Sequence, residues 1–242
     1  MNKKKLFQKI NPLFLKGIAH RGLHNDKFTE NGRYAFENAI EHNVPIEFDI
    51  HLTTDNELII CHDENLKRTT GKDGTIEHMS SKEIKENYRL LDGSELLTLQ
   101  EFLDLVDGRV PIVCELKVFE KNYKPLAKKA LEVLSQVKNK ADVLVISFDP
   151  RSLWPFRGKG FIRSLLVAKS DDYTWIFRHT VESVDVEDIL LSEKKVQRYA
   201  KKHFTNVWTM ENEEQMDKVL PYVDTVTFQF MDPKIVATKL NK

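Results

Sequence analysis

Pro45-Ile46-Glu47-Phe48-Asp49-Ile50-His51-Leu52 alternates apolar with polar residues from Ile46 onward, which predicts a strand carrying Glu47 and Asp49 on one face. Strand-like runs recur on either side of it, at Gly17 to Arg21, Val110 to Lys117, Val143 to Phe148, Ser164 to Val167, Asp188 to Leu191, Asn206 to Met210 and Val223 to Phe230. Segments of helical period separate most of them: Arg33 to His42, Leu99 to Val106, Pro125 to Val137, Glu193 to Lys202 and Glu213 to Val219. Strand then helix, repeated at this length, predicts an α/β fold, the (β/α)8 TIM barrel, with a doubly wound open sheet as the rival. One stretch breaks the alternation. Thr54-Asp55-Asn56 is a turn leading into Glu57 to Cys61, and the polar residues after it predict a small insertion after the second strand, about 63–96, over the catalytic face.

The chain has 242 residues, 41% of them hydrophobic, and no linker-like composition divides it, so one domain over 1–242 is expected. Lys plus Arg and Asp plus Glu both total 37, so no global field attracts nucleic acid, and no nucleic-acid motif occurs. Cys61 and Cys114 each precede a polar residue of the candidate site, so alternation turns both away from it and buried free thiols are expected. Lys3-Lys4-Lys5 imitates an export signal, but Lys9, Asn11, Pro12 and Lys16 interrupt the apolar run that one requires. A cytoplasmic location follows as an expectation. Leu6, Phe7, Ile10, Leu13 and Phe14 fall at helical spacing, which predicts an amphipathic helix over 3–15, packed under the domain or lying peripherally on a membrane.

Glu47, Asp49 and Glu115 lie near the strand ends where barrel active sites are built, and three carboxylates meeting there require neutralisation. One hard divalent cation, Mg²⁺ or Ca²⁺, suits an all-oxygen set. His20 and His62 approach the same mouth and can serve as acid and base on opposite sides of a phosphorus atom. Arg21 offers a planar fork for phosphate oxygens, and Lys117 a second positive charge.

With these residues in place, the chain resembles the glycerophosphodiester phosphodiesterase family over nearly its whole length. The resemblance rests on His20-Arg21-Gly22, Glu30-Asn31, Ala35-Phe36, Glu47-Phe48-Asp49, Thr54-Asp55-Asn56-Glu57-Leu58, His62-Asp63, Arg68-Thr69-Thr70, Leu97-Thr98-Leu99, Glu115-Leu116-Lys117, Ser147-Phe148 and Trp208-Thr209. It implies a (β/α)8 barrel with the insertion, His20 and His62 as the catalytic pair, and Glu47, Asp49 and Glu115 as metal ligands. It further implies Arg21 and Lys117 at the phosphate and Trp208 against the glycerol of a small glycerophosphodiester. Barrels of this kind are often dimeric, and a homodimer stays open. The chain departs from the family pattern at Thr29, where Pro is usual, and at Gly32, where Ser or Thr is usual, so a looser loop is expected there. Asn56 replaces a turn Gly, and Thr227-Phe228-Gln229-Phe230 replaces an acidic strand ending, so no pocket contact is carried over from the last strand.

Two rival functions remain. A lysophospholipase D-like activity is suggested by residues 151–178, where Arg151, Arg157, Lys159, Arg163, Lys169 and Arg178 outnumber Asp171 and Asp172. These cations are interleaved with Trp154, Phe156, Phe161, Tyr173, Trp175 and Phe177, which suits an interfacial surface or ordinary packing with snorkelling cations. The other rival is a non-catalytic metal-binding barrel, against which stands the complete set of ionisable groups.

Overall fold

Strands buried on both faces need helices outside and side chains inside, and this chain supplies both around a closed sheet. The computed structural model describes residues 3–169 and 174–241. Its strands are β1 (Ile18–Ala19), β2 (Ile46–Leu52), β3 (Leu58–Ile60), β4 (Ile112–Leu116), β5 (Val143–Ser147), β6 (Ile162–Val167), β7 (Ser183–Glu187), β8 (Thr205–Met210) and β9 (Thr225–Phe228). All pair in parallel in the order β1-β9-β8-β7-β6-β5-β4-β2 except β3, and the pairing of Ala19 with Ile46 closes the ring. β3 runs antiparallel to the end of β2, turning through Asn56 at φ 62, a left-handed position that Asn tolerates. The fold is the (β/α)8 barrel.

The expected strand at Asp188 to Leu191 is a correction. That stretch is a short 3₁₀ helix, Asp188–Ser192, and the strand lies just before it at Ser183–Glu187. Ser183 and Asp185 point into the barrel and are buried, so this strand lacks the apolar run that marks its neighbours.

The amphipathic N-terminus is not one helix. It forms a helix over Lys3–Phe7 and a 3₁₀ turn over Pro12–Lys16, separated where the Asn11 side chain accepts from the Leu13 N–H at 2.9 Å. Leu6, Ile10 and Phe14 pack with Ile18, Val113, Leu144, Ile162, Leu166 and Phe204 as the floor of the barrel. The packed reading of this segment therefore holds. Outside the sheet, Phe36, Phe48 and Phe102 form an aromatic cluster with ring centroids 4.2–6.5 Å apart. Cys61 and Cys114 are free and buried.

The insertion carries short helices at Lys67–Thr70 and Ser81–Asn87. They enclose a separate apolar cluster that includes Leu66, Ile76, Ile84, Tyr88 and Leu96. In the basic and aromatic segment, Phe156, Phe161, Arg163 and Trp175 are buried, and Arg163 is held by Glu182 at 2.8 Å. Trp154 and Ile176 are exposed, while Asp171, Asp172 and Tyr173 lie outside the described residues. Among the described aromatics of this segment, Phe156, Phe161 and Trp175 thus go into the core. Among the described residues, no helix is long and apolar enough to cross a membrane.

Candidate active site

The parallel register sets Asp49 of β2 beside Glu115 of β4, and the two-residue spacing brings Glu47 to the same inner face. One oxygen from each of the three acids lies within 4.8 Å of the others. His20 and Arg21 follow β1, where Arg21 takes a left-handed φ of 52 and its N–H donates to Glu47 at 2.9 Å. Lys117, just past β4, stands 3.0 Å from Glu115 and 3.6 Å from Asp49.

These charges set one another. Burial pushes the Glu47 carboxyl well up, and Asp49 and Glu115 reinforce that. Burial, opposed by Lys117, pushes Glu115 up to about 7. Asp49 is just as buried, but Lys117 and Arg21 overcome the desolvation and hold it low. Its Oδ1 is buried with no hydrogen-bond donor, although Asn31 serves Oδ2 at 2.9 Å. A donorless buried oxygen among three acids fits a hard cation bound by oxygen.

His20, Arg21, His62, Lys117 and Trp208 all line one cavity of about 200 Å³ together with Glu47 and Glu115. Burial and the neighbouring Arg21 push the His20 imidazole down to about 4, so it is neutral at pH 7. His62 is also lowered by burial, while Asp49 favours its charged form and Asp63 Oδ1 stands 2.6 Å from its Nδ1. His62 also lines a second, open groove of about 840 Å³, with Phe119, Phe148, Asp149 and Arg151, which His20 does not reach. Trp208 Nε1 donates to the Asp185 carbonyl at 3.2 Å, and its ring meets Phe148 edge-on.

The structure adds groups to which sequence reading gave no role. Gln229 Oε1 lies 2.7 Å from His20 Nδ1, and Thr227 lines the small cavity, so the last strand does contribute contacts. That corrects the expectation drawn from its missing acid. Glu30 accepts from Arg21 at 2.6 Å and from both terminal nitrogens of Arg68, whose Nε donates to Asp63 at 2.6 Å. An unbroken chain of ion pairs from Arg21 to Asp63, and a hydrogen bond from there to His62, therefore joins the two through the insertion. The loop at Thr29 is not loose either. Its N–H donates to Asp92 at 2.8 Å, a bond that proline at this position could not make. The only sequence signal for this network was the pattern of acids and arginines around His20 and His62.

The model of the glycerophosphoryl diester phosphodiesterase family matches residues 20–232. A glycerophosphodiester phosphodiesterase of Bacillus altitudinis is 33% identical over 147 residues, 57% of this chain and 60% of its own length. A human lysophospholipase D is 35% identical over 117 residues, 48% of this chain and 36% of its own. The chain thus spans about three fifths of the first bacterial relatives it matches. Among solved structures, a glycerophosphodiester phosphodiesterase of Thermotoga maritima superposes with a TM-score of 0.72 at 26% identity, covering 87% of this chain and 92% of that one. An Oleispira antarctica phosphodiesterase in complex with the product sn-glycerol-3-phosphate superposes with a TM-score of 0.81 at 20% identity, covering 98% and 99%.

Proposed function

This chain belongs to the glycerophosphoryl diester phosphodiesterase family, and we propose that it hydrolyses a glycerophosphodiester to sn-glycerol 3-phosphate and an alcohol, with His20 as base and His62 as acid. The observation that carries this reading is the shared cavity. His20 and His62 line one space with Glu47, Glu115, Arg21 and Lys117, and of the two histidines only His62 also lines the open groove.

In this assignment the glycerol phosphate occupies the small cavity and the leaving alcohol extends into the groove. Neutral His20, its Nδ1 turned to Gln229, takes the proton of the attacking hydroxyl, which is the glycerol 2-hydroxyl or water. With Nδ1–H given to Asp63, the imidazolium form of His62, which Asp49 and Asp63 favour, carries its second proton on Nε2 and gives it to the leaving oxygen as the P–O bond breaks, becoming neutral. Attack by the 2-hydroxyl gives a cyclic phosphate, which water then opens. Arg21 and Lys117 offset charge that develops on the phosphate oxygens. Glu47, Asp49 and Glu115 would hold Mg²⁺ or Ca²⁺, which supplies Lewis-acid polarisation of the phosphate when bound.

The test is release of sn-glycerol 3-phosphate from glycerophosphocholine by metal-stripped protein, with and without added Mg²⁺ or Ca²⁺. Restored turnover is expected, and His20→Ala and His62→Ala should each lower it by roughly 10² to 10⁴-fold. Near-normal rates in both variants would remove the histidines from the mechanism. Silence toward glycerophosphocholine with turnover of lysophosphatidylcholine would instead favour the activity named for the human relative.

A further inference from the structure

Beyond the catalytic groups, one buried pair reaches the active site from the side. His51 and Glu77 are 4% and 6% exposed, and His51 Nδ1 contacts Glu77 Oε1. The other ring nitrogen, His51 Nε2, lies 3.1 Å from the carbonyl oxygen of His62. A carbonyl only accepts, so Nε2 carries the proton and donates it. His51 extends from β2 two residues past Asp49, and Glu77 comes from the 3₁₀ turn Ile76–His78 of the insertion. The pair therefore ties insertion, barrel strand and catalytic segment together at one point.

We propose that His51, held by Glu77, is a positioning residue that fixes the backbone of His62 and so aims its imidazole at the leaving oxygen. His62 stands where the chain has left the β2–β3 ladder. The last ladder contact before it is the Cys61 N–H donating to the Asp49 carbonyl at 3.1 Å. The His51 side chain supplies the next anchor. Asp63 also holds the His62 ring, and is itself held by Arg68, but it lies one residue away, so the His51 contact is the anchor on the His62 backbone that comes from the barrel strand. A histidine ring held at one nitrogen by a carboxylate and at the other by a carbonyl has a fixed ring plane, much as outer-shell partners orient the histidines of metal sites. The inference rests on His62 acting as the acid.

Two substrates separate positioning from general damage. Cleavage of glycerophosphocholine needs a proton on the leaving alkoxide, whereas the p-nitrophenyl ester of glycerol phosphate leaves as a stable phenolate and needs none. His51→Leu should lower kcat on glycerophosphocholine by roughly 10 to 100-fold with little change in KM, and should leave p-nitrophenyl ester turnover far less affected. His51→Gln, whose Nε2–H reaches in the same direction, should recover most of the loss. Glu77→Ala should repeat the selective loss and serves if His51→Leu does not fold. Equal losses on both substrates, or none, overturn the proposal. A readout independent of turnover comes from protein labelled with ¹⁵N-histidine. The His62 ring resonances should move in His51→Leu and Glu77→Ala but hardly in His51→Gln, and unchanged His62 resonances overturn the proposal even if no diester is cleaved.

Discussion

Glu47 is 4% exposed and shares its space with Asp49 and Glu115, so metal-free protein keeps a proton among the three rather than three adjacent charges. Glu47→Gln removes one acid from this repulsion while keeping the shape. The metal-free variant should melt at a temperature equal to or above that of the parent. In the parent, a cation at about 100 times its Kd should add roughly 2.7 kcal/mol of stability, a gain the variant should lose. Thermal melts with and without Mg²⁺ or Ca²⁺ check both halves, and an undiminished shift in Glu47→Gln would take that residue out of the metal set. His20 makes a second prediction at this scale. Its imidazole titrates near 6.5 when unfolded and about 4 when folded, so between those values the unfolded chain binds more protons. Its contribution to stability is complete above pH 6.5 and lost as pH falls toward 4. Denaturant titrations at pH 7 and pH 4.5 should show a smaller acid loss for His20→Gln than for the parent, and equal losses would mean that His20 is not held neutral.

At the scale of elements, the short helix Lys67–Thr70 reaches the candidate site through one residue. Arg68 bonds Glu30 with both terminal nitrogens and Asp63 with Nε, and those acids hold Arg21 and His62. Arg68 is half exposed, so Arg68→Ala should barely change the melting temperature. It should still lower kcat by about tenfold, because a small misplacement of catalytic groups is costly. Steady-state kinetics beside a thermal melt decide this, and an unchanged kcat would reduce the network to surface decoration. Much at this scale was legible in the sequence. The helices predicted at Leu99 to Val106 and Glu213 to Val219 occur with those bounds, the first behind a Thr98 and Glu101 capping box. The site acids were legible because a two-residue spacing on a strand has one geometric outcome. β7 was not, since its inward positions Ser183 and Asp185 are polar and the apolar residues after it, Leu190 and Leu191, pack outside the sheet. Gln229 and Glu77 were invisible for another reason: each meets its histidine only after distant segments of chain have folded together.

At the scale of the whole molecule, two apolar clusters fill and surround the barrel and a third lies in the insertion, and the candidate site draws residues from both units. The insertion cluster is small, and its helices Lys67–Thr70 and Ser81–Asn87 are short, so local opening there should cost less than opening the barrel. Yet Asp63, Arg68 and Glu77 belong to that weaker unit. Activity should therefore disappear at a lower urea concentration than the far-ultraviolet helix and strand signal, and amides of residues 63–96 should exchange with solvent faster than those of β4 and β5. Gly74 offers the means to separate the units. A Cβ there would meet the Tyr88 hydroxyl at 2.2 Å and Met79 Cε at 3.0 Å, inside the insertion cluster and away from the barrel. Gly74→Ala should widen the gap between the activity transition and the structural transition while leaving exchange in β4 and β5 unchanged. If the two transitions coincide in both proteins, barrel and insertion unfold as one unit, and the insertion is a full part of the barrel's stability.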